Sequence, residues 1–166
     1  LKIIGNTDGL INIALSNTHF TATHDTLSFT SKLVEARFPN YQGVIPTPTP
    51  QVARVNKTLL KQALRRAAIL SNEKSPAIYL AFNNNSLQIE SNNAENEAVE
   101  ETLNIEFASK KDKTTLCLNA NYLMETIYNV DSEFIVFKIS DVKTAIIIEN
   151  DDQKSSNICV TMPMVV

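Results

Sequence analysis

The chain carries the same predicted order of elements twice: a strand, a helix, and then three strands. The first copy covers residues 51–107 and the second covers residues 114–164. Val55-Asn56 leads into the first helix, and Leu118-Asn119 leads into the second. Internal repetition is typical of an architecture built by copying one supersecondary unit. It predicts an α+β fold in which repeated β-α-β-β-β units place helices on one face and antiparallel sheets on the other.

The periodicity of apolar residues sets the expected bounds of each element. In the first copy we expect a strand at 51–55, a helix at 57–70, and strands near 77–82, 86–91 and 99–107. In the second copy we expect a strand at 114–118, a helix at 120–129, and strands at 134–139, 144–149 and 157–162. Part of a third copy precedes them, with a helix end at 1–6 and strands at 10–16, 19–23 and 26–30.

Alternating prolines between residues 46 and 50 mark a predicted domain boundary. Pro46, Pro48 and Pro50 are three of the six prolines in the chain. Prolines at this spacing forbid a helix and favour an extended spacer. We therefore expect residues 1–47 to be the end of a truncated domain and residues 48–166 to be a complete one. Because the chain begins without Met on what resembles a helix end, we expect it to be a fragment.

Charge and cysteine content narrow the function classes. The net charge of −3 excludes a protein that coats nucleic acid through its overall charge. The sequence contains no apolar run long enough to cross a membrane. Cys117 and Cys159 lie in apolar strand contexts, so free thiols in a reducing cytosol are favoured. A disulfide between them stays open.

Catalytic and metal-binding motifs are absent from the sequence. It contains no glycine-rich phosphate loop and no nucleophile elbow. His19 and His24 are its only histidines and lie far from both cysteines, so we expect no metal site, no cofactor and no catalysis. An acidic cluster is formed by Glu95, Glu97, Glu100 and Glu101. A solvated edge or subunit contact is favoured there. The alternative is a carboxylate-dependent hydrolase, which would need raised pKa values in a pocket.

The first predicted helix has an apolar face and a basic face. Its apolar face contains Leu59, Leu60, Ala63, Leu64, Ala67 and Leu70. Lys57, Lys61 and Arg65 recur every fourth residue on another face, and Arg66 extends it. The basic face is either a solvated surface or a stripe that meets DNA phosphates. Three or four cations on an acidic protein would hold DNA weakly, with a dissociation constant of about 10⁻⁴–10⁻⁶ M. Weak, sequence-independent contact suits sliding along DNA.

The C-terminal tail combines methionine and proline. Val160, Met162, Pro163 and Met164 follow or end the last predicted strand. Proline belongs at a strand end or sheet edge because it cannot donate a backbone hydrogen bond. Methionine adapts to varied apolar partners. The tail is therefore either a terminal strand packed inside the domain or an adaptable binding surface.

Residues 30–41, residues 59–74 and the tail 160–164 resemble the β subunit of bacterial DNA polymerase III, the sliding-clamp family. The resemblance implies that the chain holds the end of the middle domain and all of the third domain. In that family two three-domain subunits form a ring around duplex DNA, with helices lining the hole. The resemblance thus implies a non-catalytic, cytoplasmic processivity factor. Such a factor would encircle duplex DNA without regard to its sequence. It would tether replicative and translesion polymerases, the clamp loader and repair proteins through short linear motifs.

The same resemblance implies three groups of site residues. The peptide-binding pocket would contain Pro39, Val44, Asn119, Tyr122, Val160, Met162, Pro163 and Met164. The DNA-facing residues would be Lys57, Lys61, Arg65 and Arg66. The subunit interface of the homodimer would contain Ile69, Leu70, Glu95, Glu97, Glu100 and Glu101. Gly43 and Val165 depart from the basic residues common in the family at these positions. Without the first domain we expect the fragment to be monomeric.

A structural adhesion-type β domain, with helices at its rim, is the third interpretation of the sequence, after the sliding clamp and the hydrolase.

Overall fold

The computed structural model describes residues 9–71, 76–93, 95, 97–152 and 157–164. The predicted helix end at residues 1–6 lies outside these ranges. The chain divides into two compact units, Leu1–Pro39 and Asn40–Val166. The 3₁₀ turn Tyr41–Val44 and the proline segment group with the second unit. The domain boundary near residue 47 stays a prediction. The proline segment is not helical, as predicted.

The first unit contains one small antiparallel sheet. Its strands are β1 (Asn12–Leu15), β2 (His19–His24) and β3 (Leu27–Lys32), in that spatial order. The three predicted strands are therefore present with shifted ends. Asp25 has φ 48° in the two-residue turn between β2 and β3. Its short polar side chain makes this left-handed conformation accessible.

The second unit contains both copies of the repeat. The first copy comprises β4 (Gln51–Asn56), α1 (Lys57–Ile69), β5 (Ala77–Asn83), β6 (Ser86–Asn92), β7 (Ala98–Asn104) and β8 (Glu106–Ala108). The second copy comprises β9 (Lys113–Asn119), α2 (Ala120–Tyr128), β10 (Phe134–Ile139), β11 (Ile146–Asn150) and β12 (Ile158–Thr161). The predicted α+β class and the repeated order are confirmed. Across the described residues, no helix has the length and hydropathy to span a membrane.

The two copies exchange their first strands. The sheets have the orders β12-β11-β10-β4-β8 and β7-β6-β5-β9, with antiparallel neighbours. Strand β4 of the first copy pairs with β10 of the second, where Val55 lies opposite Ile135. Strand β9 of the second copy pairs with β5 of the first, where Leu118 lies opposite Ile78. Neither copy can therefore complete its sheet without the other.

One predicted strand proved to be two. The alternation of residues 99–107 predicts a single strand, but the chain leaves the four-stranded sheet after Asn104 and joins the five-stranded sheet at Glu106. Ile105, between them, is 8% exposed, and its N–H donates to the Asn85 carbonyl at 3.1 Å. Every second residue continues to face inward through Ile105, so the alternation in the sequence does not reveal the change of sheet.

Both helices begin at an asparagine that caps the first turn. The side-chain oxygen of Asn56 accepts a hydrogen bond from the Leu59 N–H at 3.1 Å. The side-chain oxygen of Asn119 accepts from the N–H groups of Asn121 and Tyr122, at 3.0 and 3.3 Å. Asparagine is a favoured N-cap because it satisfies N–H groups that have no partner within the helix.

The first N–H of each helix is held by the opposite copy. The Lys57 N–H donates to the Glu133 carbonyl at 2.9 Å, just before β10. The Ala120 N–H donates to the Pro76 carbonyl at 2.8 Å, just before β5. These matching bonds fix each helix start against the sheet that its own first strand enters. They place α1 and α2 side by side over one core.

The core joins both sheets and both helices. On α1 the fully buried residues are Leu60, Ala63, Leu64 and Ala67. Leu59, predicted on this face, is 49% exposed because it lies one position outside the i, i+3, i+4, i+7 set that packs inward. The ring of Phe82 on β5 lies 5.7 Å from that of Phe107 on β8 and 5.6 Å from that of Phe137 on β10. This cluster connects the two sheets.

Replacing Phe82 with alanine should destabilise both copies together. We expect the free energy of unfolding of the second unit to fall by about 3–5 kcal/mol, because a buried ring leaves a cavity shared by both sheets. Urea unfolding followed by circular dichroism tests this. Phe29→Ala is the control, since Phe29 is 42% exposed. A loss below about 1 kcal/mol for Phe82→Ala, in the range of exposed sites, would contradict the shared core.

Candidate functional site

Three cations of α1 reach the end of α2. Lys57 Nζ donates a hydrogen bond to the carbonyl of Val130. Lys61 Nζ lies 4.0 Å from the centroid of the Tyr128 ring, and Arg65 Nη2 donates to the Tyr128 hydroxyl at 2.7 Å. The C-terminal end of a helix carries partial negative charge and attracts cations. The basic stripe therefore also stabilises the seam between the two helices.

The stripe borders a shallow groove of about 550 Å³. The residues that line it are Lys57, Thr58, Lys61, Gln62, Arg65, Asp131, Ser132 and Glu133. Two carboxylates thus share the groove with three cations. Among the described residues, none of these three cations forms an ion pair. The groove keeps an excess of positive charge available to an anionic partner.

Arg66 differs from the other predicted DNA-facing residues. Its Nε and Nη2 donate to the two carboxylate oxygens of Glu101 at 2.5 and 2.9 Å. The structure thus joins a residue predicted to face DNA with one predicted at the subunit interface. The two hydrogen bonds and the positive charge of Arg66 hold the pKa of the Glu101 carboxyl below its usual range. The pair neutralises itself, so Arg66 contributes less to an anion-binding surface than its sequence position indicates.

The acidic cluster is dispersed over separate hydrogen bonds. The carboxylate of Glu97 accepts from the Asn93 side chain at 2.7 Å, and that of Glu100 accepts from the Gln88 side chain at 2.6 Å. Glu95 is exposed. The described part of the chain holds no group of three or more potential ligands that could bind a metal ion. A hydrolase would need raised carboxyl pKa values, whereas that of Glu101 is lowered, so the hydrolase alternative is not supported.

The remaining interface candidates lie at the end of α1. Ile69, its last residue, is 79% exposed, and Leu70 follows as the half-buried C-cap. An isoleucine side chain with this degree of exposure to water is a candidate for burial by a partner.

Most of the predicted pocket residues expose apolar surface. Seven of them belong to the second unit and Pro39 belongs to the first. Tyr122 on α2 is 64% exposed, and Met162, after β12, is 57% exposed. Helix α2 packs beside β12. Val44 is 50% exposed, Val160 is 39% exposed, and Asn119 is the half-buried N-cap of α2.

The tail folds back onto the edge of the four-stranded sheet. The Met164 N–H donates to the Cys117 carbonyl on β9 at 2.7 Å. An apolar groove of about 350 Å³ opens beside this contact. Its lining residues are Tyr79, Thr115, Cys117, Val142, Lys143, Pro163 and Met164. The tail is therefore part of a concave surface and not a strand packed inside.

Sequence reasoning missed five of these seven lining residues. Thr115 and Cys117 alternate with the buried Leu116 and Leu118, which places them on the outer face of β9. Tyr79 lies opposite Cys117 on the neighbouring strand β5. The period-2 pattern could have placed these residues together. It could not show that the tail returns to border them.

Both cysteines are free and half-buried. Cys117 lies on an edge strand of one sheet and Cys159 on an edge strand of the other, so the open disulfide alternative is not realised. Burial raises the pKa of both thiols. They are therefore protonated near neutral pH, as expected for inert side chains.

Comparison with solved structures defines the class of this fold. A crystal structure of the DNA polymerase sliding clamp from Pseudomonas aeruginosa matches 99% of the chain with a TM-score of 0.86 and 32% identity. A sliding clamp from Bartonella birtlesii bound to griselimycin matches 99% with a TM-score of 0.87 and 29% identity. The chain covers 44% of each of those proteins. The class is that of the sliding clamps, with the α+β clamp fold.

The family follows from the sequence comparisons. The family model described as DNA polymerase III beta subunit, C-terminal domain, matches residues 42–165. The chain belongs to this family. It is 32% identical over 163 residues to the beta sliding clamp of Pseudomonas aeruginosa and 31% identical over 164 residues to that of Escherichia coli strain K12. It spans 44% of the length of each relative, so it corresponds to a fragment of such a protein.

The Arg66–Glu101 pair predicts a pH-dependent contribution to stability. The folded pKa of Glu101 is lowered, so this contribution is present above the unfolded pKa of about 4.3 and is lost as pH falls through the folded pKa. We expect Glu101→Gln to reduce the free energy of unfolding at neutral pH, with the difference from wild type shrinking at acidic pH. Urea unfolding at several pH values measures this. A difference that is constant with pH, or one that Glu95→Gln reproduces, would contradict the ion pair.

Proposed function

We propose that this protein is part of a sliding clamp that encircles duplex DNA and tethers replication partners. The proposal rests on a difference between two surfaces: carboxylates neutralise the cations on one of them and not those on the other. On the face of the five-stranded sheet away from the core, Arg54 pairs with Glu106 and Asp151, and Lys138 pairs with Glu149. Among the described residues, Lys57, Lys61 and Arg65 on α1 lack such pairs. The helix side is therefore the better surface for a polyanion.

The strength of this contact suits a partner that must slide. Each neutralised phosphate changes the slope of log K against log salt by about −0.9. Three cations, opposed by Asp131 and Glu133 in the same groove, give a weak contact without base readout. Such a surface tracks the DNA backbone, while a closed ring supplies retention by topology. Arg66 belongs to this surface as a lesser contributor.

The tail region is proposed to bind short linear motifs of polymerases, the clamp loader and repair proteins. Supporting this are the exposed Tyr122, Val160 and Met162 and the apolar groove beside Met164. Pro39, Val44, Asn119 and Pro163 complete the proposed pocket. Burying one Leu- or Phe-sized anchor contributes roughly 1.5–3 kcal/mol, so two or three anchors give a grip that partners can exchange. The related Bartonella birtlesii clamp bound to griselimycin supports a ligand-binding role for this family.

The assembly and setting follow from the same proposal. The full-length protein would be a homodimer, with Ile69, Leu70 and the acidic cluster at the subunit contact, while the fragment alone stays monomeric. Glu101 would reach a partner only by sharing its carboxylate with Arg66. The proposed protein is a non-catalytic subunit of the bacterial replication machinery in the cytoplasm, and it needs no cofactor or metal.

Removing cations from α1 should reduce the salt dependence of DNA binding. We expect Lys61→Gln and Arg65→Gln each to lower the magnitude of the slope of log K against log salt by about 0.9, because each removes one positive charge from the DNA-facing surface. Fluorescence anisotropy with a labelled duplex measures the slope. The double variant Arg66→Gln/Glu101→Gln is the matched control, because it removes a cation without changing net charge. Slopes unchanged in both single variants would contradict DNA contact by α1.

Truncating the tail methionines should weaken peptide binding. We expect Met162→Ala and Met164→Ala in the full-length clamp each to weaken the binding of a labelled polymerase tail peptide by roughly ten- to a hundredfold. Each variant loses apolar contact worth about 1.5–3 kcal/mol. Anisotropy titration measures the dissociation constants. Ile158→Ala is the control, because Ile158 is 52% exposed on β12 outside the proposed pocket. Equal affinities for all variants would remove the pocket assignment.

A further inference from the structure

Tyr128 connects the two cations at the centre of the basic stripe. It is the last residue of α2 and is 53% exposed. Its hydroxyl accepts a hydrogen bond from Arg65 Nη2 at 2.7 Å, and its ring lies 4.0 Å from Lys61 Nζ. Tyr128 therefore contacts one cation through its hydroxyl and the other through its ring face.

The Tyr128 hydroxyl has a proton that neither Lys61 nor Arg65 can accept. A guanidinium and an ammonium can only donate, whereas a phenol can accept through its lone pairs and donate its own proton. Arg65 therefore uses a lone pair of the Tyr128 oxygen and cannot receive its proton. Neither can Lys61. The O–H proton is left for an acceptor outside the pair, and an anionic oxygen that also meets both cations satisfies all three groups.

The electrostatic environment strengthens that donor. The hydrogen bond from Arg65 and the positive charges of Arg65 and Lys61 hold the pKa of the Tyr128 hydroxyl below its usual value. A more acidic O–H donates more strongly to an anionic acceptor. Tyrosine hydroxyls are among the side-chain groups that contact nucleic-acid phosphates.

We propose that Tyr128, Lys61 and Arg65 form a single site for one backbone phosphate of duplex DNA. Tyr128 holds the two cations in place and donates its hydroxyl proton to a phosphate oxygen. Preorganised side chains lose less conformational freedom when the phosphate binds. This inference rests on the proposed function and adds to it a neutral residue that charge counting does not identify.

The surroundings limit the strength of this site. Asp131 and Glu133 line the same groove and repel an anion, while Lys57 is engaged with the Val130 carbonyl. The site therefore suits one phosphate among many along a duplex, and not a tightly held free anion.

The salt dependence of DNA binding distinguishes a residue that donates a hydrogen bond from a residue that contributes positive charge. A labelled duplex is titrated with the whole chain at several salt concentrations, using wild type, Tyr128→Phe, Tyr128→Ala and Lys61→Gln. We expect Tyr128→Phe to bind about threefold more weakly, from the lost hydrogen bond, and Tyr128→Ala about tenfold more weakly. Both should keep the wild-type salt slope, because no charge is removed. Lys61→Gln should lower the magnitude of the slope by about 0.9.

Two controls make each outcome decisive. Tyr41→Phe, on the 3₁₀ turn, should bind like wild type. Circular dichroism and urea unfolding establish that the Tyr128 variants are folded. If Lys61→Gln lowers the slope but both Tyr128 variants bind like wild type, the phosphate site is overturned and the proposed function stands. If Tyr128→Phe changes the slope, the positioning role is wrong. If wild type binds no duplex at any salt concentration, the DNA-binding proposal fails and this site with it.

Discussion

The exchange of first strands between the two copies is the constraint on which the rest of the second unit depends. Strand β4 completes the sheet of the second copy, and β9 completes the sheet of the first. Each helix follows directly from an exchanged strand, and its first N–H is bonded across to the other copy. The start of each helix is thereby fixed against the sheet that its own first strand enters. Side chains on α1 and α2 can then meet at a defined seam.

That seam gives the basic stripe its geometry. Lys57, Lys61 and Arg65 all contact the end of α2 or the residues that follow it, through neutral groups that leave their charge uncompensated. Cations on the opposite side of the five-stranded sheet are instead neutralised by carboxylates. The fold thus separates a self-compensated sheet face from a helix face that retains positive charge. This separation lets a protein with a net charge of −3 present a local surface to a polyanion.

The sequence predicts the local elements well, because apolar periodicity and the caps Asn56 and Asn119 are local signals. It does not predict what depends on distant partners. The division of residues 99–107 between two sheets is hidden because the alternation continues through Ile105. The pairing of Arg66 with Glu101 joins α1 to β7, and no spacing rule connects them. The groove at Met164 exists because the tail returns to β9, whose outer residues look like ordinary surface positions in the sequence.

The most direct test of this separation of faces is the backbone NMR spectrum of the chain during titration with a short duplex. We expect the amide shifts to change along the Lys57–Arg65 side of α1 and at Tyr128, while those around Arg54 and Lys138 stay constant. Shifts centred on Arg54 and Lys138, with α1 unchanged, would place DNA on the sheet face and contradict the account.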